Sequence, residues 1–191
     1  MSILGIIASS KLGIAPIVPS FESIATETLS ALTPSVTFSS IPATFTHLQL
    51  RCLVRSDRSI GNGADLKIKF NGSSTDYAFH DLTGLGANPV QVGAGASAVA
   101  ISLQRIASDN TADANIFAGM VIDILDYTST SKNKTVRSLG GYDRNGAGEI
   151  SLSSGLWYAS PAAITSIELT TTAATEFKSY SQFALYGIKG A

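Results

Sequence analysis

Two histidines, one cysteine and fourteen acidic residues are the chain's main stock of side chains for polar chemistry. A general base needs a partner within hydrogen-bond reach. His47 opens an alternating run and reads as a plain hydrogen-bonded imidazole at a strand start. His80 stands beside Asp81 in Asp76-Tyr77-Ala78-Phe79-His80-Asp81. Two readings stay open for residues 76–82, a strand or a helical turn. On a strand, neighbouring side chains point to opposite faces, so His80 and Asp81 form no dyad. Asp76, His80 and Asp81 are the best set for a cation. Two carboxylates and one imidazole without a defined ligand loop still fall short of a metal site. Asp123 lies inside an apolar stretch at 121–127, where a carboxylate needs a partner; Arg137 and Arg144 are the candidates. Gly93-Ala94-Gly95-Ala96-Ser97 is glycine-rich, but no Gly-Lys-Ser/Thr follows it, and no G-x-S-x-G elbow occurs. The expectation is a chain without catalytic residues, metal or cofactor, and therefore not an enzyme.

Three aromatic residues could serve recognition instead. Tyr142 sits in Gly140-Gly141-Tyr142-Asp143, and Trp157 and Tyr158 follow Ser153-Ser154-Gly155-Leu156. Exposed rings at such places stack on sugars or anchor interfaces. Tyr142, Trp157 and Tyr158 are therefore the candidate ligand-binding aromatics, against a competing reading in which Trp157 caps the core. Asn71-Gly72-Ser73 and Asn133-Lys134-Thr135 match the glycosylation pattern, which is common by chance.

The elements that would position these residues read as strands. Apolar residues alternate with polar ones at 47–55, where Leu48, Leu50, Cys52 and Val54 share a face opposite Gln49 and Arg51. Residues 66–70 repeat the pattern with Leu66, Ile68 and Phe70 against Lys67 and Lys69, and residues 99–103 with Val99, Ile101 and Leu103. Residues 116–127 are apolar on both faces, which reads as a central strand covered on both sides. Further candidates are 23–28, 35–39, 135–139, 149–152, 164–170 and 182–188. Asn71-Gly72 and Asn145-Gly146 supply the positive φ of tight turns. Residues 84–97 read as the longest irregular stretch. Nine or ten short strands parted by glycine-rich turns predict an all-β chain, an antiparallel β-sandwich of jelly-roll type.

A chain of 191 residues suggests one such domain. Charged residues make up 14%, against about 25% in typical soluble domains. Forty-three Ser and Thr keep the surface polar with little charge. With net charge −1 and no Lys/Arg run, the footprint of a nucleic-acid binder is missing. No apolar run reaches the roughly 18 residues of a membrane span. Cys52, alone, allows no internal disulfide and reads as a small buried hydrophobe.

Residues 1–19 differ from the rest. Ile3, Leu4, Ile6, Ile7, Leu12 and Ile14 are apolar, and Pro16 and Pro19 discourage a helix. A signal peptide is not expected, because no basic region precedes the apolar run. The division expected is an N-terminal anchoring arm at 1–19 and a sandwich at 20–191. The arm folds back on its own domain or inserts into a neighbouring subunit; in the second case those six residues are the assembly contacts.

Several segments resemble small structural proteins of tailed-bacteriophage virions. They are Leu4-Gly5-Ile6-Ile7-Ala8-Ser9-Ser10, Phe21-Glu22-Ser23-Ile24-Ala25-Thr26, Phe38-Ser39-Ser40-Ile41-Pro42, Thr46-His47-Leu48-Gln49-Leu50-Arg51, Ile122-Asp123-Ile124-Leu125-Asp126-Tyr127, Lys134-Thr135-Val136-Arg137-Ser138-Leu139 and residues 181–190. The resemblance spans nearly the whole chain and brings no catalytic residues. It implies a virion component, either a capsid cement or decoration protein or a tail-fibre or baseplate part. Such a part would pack as a homo-oligomer, for example a trimer, beside major capsid or tail proteins. The alternative is a tail module that binds a host surface glycan.

Overall fold

A computed structural model of the chain describes residues 20–59, 63–86, 88–103, 105–107, 115–145, 147–158, 161–172 and 174–190. The arm positions Ile3, Leu4, Ile6, Ile7, Leu12 and Ile14 lie outside the described residues.

Twelve strands are present among the described residues. They are β1 (Phe21–Thr28), β2 (Ser35–Phe38), β3 (His47–Val54), β4 (Lys67–Phe70), β5 (Tyr77–Leu85), β6 (Gln91–Ala98), β7 (Ile101–Ser102), β8 (Ala118–Leu125), β9 (Lys134–Arg144), β10 (Ala147–Trp157), β11 (Ile167–Thr170) and β12 (Gln182–Ile188). An eight-stranded sheet runs β1-β12-β3-β8-β9-β10-β5-β6, and a four-stranded sheet runs β2-β11-β4-β7. All pairings between these strands are antiparallel.

The pairing shows how the chain is rolled. β1 pairs with β12, β2 with β11, β3 with β8 and β4 with β7. Each outer partner encloses the next, as in a long hairpin wound on itself, which is the jelly-roll arrangement expected from the sequence. Two further hairpins interrupt that winding. β5 and β6 fall between β4 and β7, and β9 and β10 fall between β8 and β11. β10 pairs with β5, so the two insertions join and widen one sheet by four strands.

The small sheet covers only part of the large one, and the core lies beneath it. Leu48, Leu50, Val54, Ile122 and Ile124 of the large sheet meet Ile68, Phe70, Ile101, Ile167 and Leu169, all fully buried. Burying a side chain of this kind contributes about 1.5–3 kcal/mol. Trp157 closes one end against Phe70 and Tyr77, with ring centroids at 5.8 and 6.2 Å. Asn71 ties a turn to the approach of β11. Its Oδ1 accepts from the amides of Thr165 (2.8 Å) and Ser166 (3.1 Å), and its Nδ2 donates to the Ala163 carbonyl (2.8 Å).

Three expectations need correction. Residues 76–82 form no helical turn; Asp76 is a bend and residues 77–82 belong to β5. The stretch at 84–97 is not irregular, because it holds the end of β5 and most of β6. Two of its glycines stand where packing is close: a Cβ on Gly93 would collide with the Asp81 carboxylate, and one on Gly95 with the Phe79 ring. Strand β8 is covered on one face only, since Ala118, Met120, Ile122 and Ile124 are buried while Val121 is exposed.

Candidate functional site

The uncovered face of β8 opens onto the outer side of the large sheet, where apolar side chains line up by register. Val121 faces Leu139 across β8 and β9, and Leu139 faces Leu152 across β9 and β10. Leu152 faces Leu82 on β5, and Leu82 faces Val92 on β6. This row crosses five strands, roughly 19 Å at the usual strand spacing. Its members are exposed, from 41% at Val121 to 81% at Val92.

A second row runs beside it. Leu53 pairs with Gly119, Gly119 with Gly141, Gly141 with Ile150 and Ile150 with Gly84. Three of these five positions lack a side chain, so the sheet surface dips. The result is an open trough of about 860 Å³, walled by Arg51, Val121, Leu139, Asp143 and Ile150 and floored by glycine backbone. Glycine in a strand marks a place where another group approaches the backbone closely. At Gly119 an added Cβ would meet nothing within 4 Å.

The row on the other side is polar. Gln49, Asp123, Arg137, Ser154 and His80 follow one another across β3, β8, β9, β10 and β5. Gln49 Nε2 donates to Asp123 Oδ1 at 2.8 Å, and Arg137 Nε donates to Asp123 Oδ2 at 3.2 Å. Arg137, one of the two partners expected from the sequence, thus holds Asp123. Further along, the Arg51 guanidinium lies over both the Phe21 and Tyr186 rings, 5.0 and 5.3 Å from their centroids. An apolar band edged by organised polar groups has the anatomy of an interaction surface.

The other singled-out residues are scattered. His47 Nδ1 accepts the Asp126 amide at 2.9 Å. His80 is exposed and Asp81 buried, so they lie on opposite faces of β5 and make no dyad. Burial pushes the Cys52 thiol up to about 12, which leaves it unreactive. Tyr142 and Trp157 do not offer rings to a ligand: alternation along β9 and β10 turns both inward, where they are buried. Tyr158, just past β10, is half-buried, its hydroxyl 3.4 Å from Ser97 Oγ. The described residues hold no group of three or more His, Cys, Asp or Glu placed to share a metal.

Sequence reasoning missed the apolar row. Its signal was present in β10, where Ile150, Leu152 and Leu156 alternate with Ser151 and Ser153. The chain matches no protein-family model, and no curated protein is significantly similar to it.

Proposed function

We propose that this chain is a structural subunit of a bacteriophage virion, packing with copies of itself and with other virion proteins on the particle surface. The observation that carries the reading is the ordered aliphatic row Val121–Leu139–Leu152–Leu82–Val92, open to solvent across five strands. Removing apolar area from water contributes about 25 cal/mol per Å², and a closed symmetric assembly is the common way to hide such a face. The segment resemblance gives the particle its kind. The jelly roll is also frequent in viral capsid and lectin domains, although a fold alone assigns no function. The glycan-binding alternative is weaker, because two of its three candidate rings, Tyr142 and Trp157, are buried.

The test joins solution and particle. Leu139→Asp together with Leu152→Asp should raise the self-dissociation constant at least about tenfold by sedimentation, equivalent to 1.4 kcal/mol, and should lower incorporation into particles. Antibody against the chain should label purified phage particles in electron micrographs. Unlabelled particles, together with unchanged self-association of the double variant, would overturn the reading.

A further inference from the structure

One side of the sandwich is open between β1 and β2. β1 ends the large sheet and pairs with β12 alone among the named strands; β2 ends the small sheet and pairs with β11 alone. Each therefore keeps one edge of backbone N–H and C=O groups outside the ladders, the feature that invites an added strand. A crevice of about 400 Å³ separates the two edges. Ile24, Ala25 and Leu29 line one side, Val36 and Ile41 the other, and Leu185 lies behind. An extended segment laid there would gain main-chain hydrogen bonds from an edge and apolar burial from the walls.

The chain carries a matching segment. Nineteen residues precede Ser20, and they end where β1 begins, at the border of the crevice. Fully extended, they reach roughly 60 Å, against about 26 Å for the eight residues of β1. Ile3-Leu4-Gly5-Ile6-Ile7-Ala8 is uncharged and apolar, as the crevice walls are. Pro16 and Pro19 bias Ala15 and Val18 toward extended backbone. An extended approach to β1 would favour a neighbour's crevice over the same molecule's.

We propose that residues 3–8 of a second copy add as a strand in the crevice between β1 and β2. The proposal rests on the reading of the chain as a self-associating subunit, and it names where one copy grips the next.

Full-length protein tests it by disulfide trapping, with Cys52 left in place because its buried thiol does not react. Copies carrying Ile6→Cys are mixed with copies carrying Thr26→Cys, or Thr37→Cys, and oxidised mildly. Thr26 and Thr37 are exposed on opposite rims of the crevice, and a bridge needs Cα atoms about 4.4–6.8 Å apart. Mixed samples on a non-reducing denaturing gel should shift to twice the monomer mass. The yield should be at least about tenfold that with Thr135→Cys, an exposed position on the large sheet's outer face. Yields equal to that control would overturn the proposal. So would an Ile6→Cys/Thr26→Cys double variant that bridges only within one chain when diluted into excess wild type. Sedimentation of the same samples separates the two claims: an oligomer without bridging sinks the crevice alone, and a monomer at every concentration sinks the subunit reading as well.

Discussion

In the jelly-roll half of the large sheet, β3 and β8 turn Leu48, Leu50, Met120 and Ile122 toward the core and Gln49, Arg51 and Asp123 outward. In the inserted half, β9, β10 and β5 do the reverse over much of their length. Ser138, Ser151, Ser153, Thr83 and Asp81 are buried, while Leu139, Ile150, Leu152 and Leu82 are exposed. The same alternation builds both halves, but its polarity is inverted. Both inner faces are buried: the first half turns apolar side chains into the shared core, while in the inserted half, where β7 approaches β10 and β5, small and polar side chains fill the inner face. The aliphatic residues of the insertion therefore stand on the outer face. On the proposed function, the core stripe is dried by the molecule itself and the outer stripe by a neighbouring copy.

The largest effects should fall where the molecule dries its own surface. Leu50→Ala and Ile122→Ala each remove a fully buried side chain and should cost about 2–5 kcal/mol in urea denaturation. Leu139→Ala and Leu152→Ala, measured below the association concentration, should stay within about 0.5 kcal/mol of wild type. Equal costs in the two halves would show that the outer row is already covered within one chain, and the comparison would collapse.

Smaller changes are expected on the inner face of the insertion. Ser138 Oγ and Ser153 Oγ are buried and meet no hydrogen-bond partner among the described residues. Trimming such a hydroxymethyl to a methyl removes a desolvated polar group. Ser138→Ala and Ser153→Ala should leave stability unchanged or raise it by up to about 1 kcal/mol, read as the shift in denaturation midpoint. A loss above about 1 kcal/mol in either would mean that the buried serines make interactions that hold the insertion together.

This inversion also explains what the sequence made legible. Strand existence was readable wherever the period was two, as in residues 47–55 and 182–188. Many short strands and glycine-rich turns pointed to a sandwich of jelly-roll type, but the strand order is set by long-range pairings such as β1 with β12, which no local pattern encodes. Period alone does not say which face is inside, because Leu-Ser-Leu and Ser-Leu-Ser are the same string shifted by one residue. Hence β8 read as covered on both sides, although Val121 belongs to an open face. β6 was missed because Gly93, Ala94, Gly95 and Ala96 carry no strand propensity; small residues are needed there to clear Asp81 and Phe79. Tyr142 was expected at a ligand for the opposite reason, and Trp157 was weighed between a ligand and the core, where it lies. Their glycine-rich surroundings resemble loops, yet the chain continues through them as long strands.

The finest test of the inverted half is electrostatic. Glu149 is buried on its inner face, with Arg105 Nε 3.2 Å from Oε2. Burial raises the carboxyl above its ordinary range, Arg105 and Arg144 pull it down in part, and Asp65 adds to the rise. Asp81 is raised as well, first by burial and then by Asp65, with Arg105 opposing. A carboxyl raised on folding binds its proton more tightly in the folded state. Its contribution is complete below the unfolded pKa, about 4, and is lost as pH climbs through the raised folded value. Asp126 runs the other way: its hydrogen bond from Lys132 holds it below the ordinary range, so only a difference curve isolates the buried pair. Stability measured from pH 3 to 8, wild type minus Glu149→Gln, should therefore fall with rising pH above about 4 and then level off. The same subtraction with Asp81→Asn should give the same sign. A difference curve that rises with pH would mean that the arginines outweigh burial at Glu149, and that the inner face of the insertion is a charged network in place of a desolvated one.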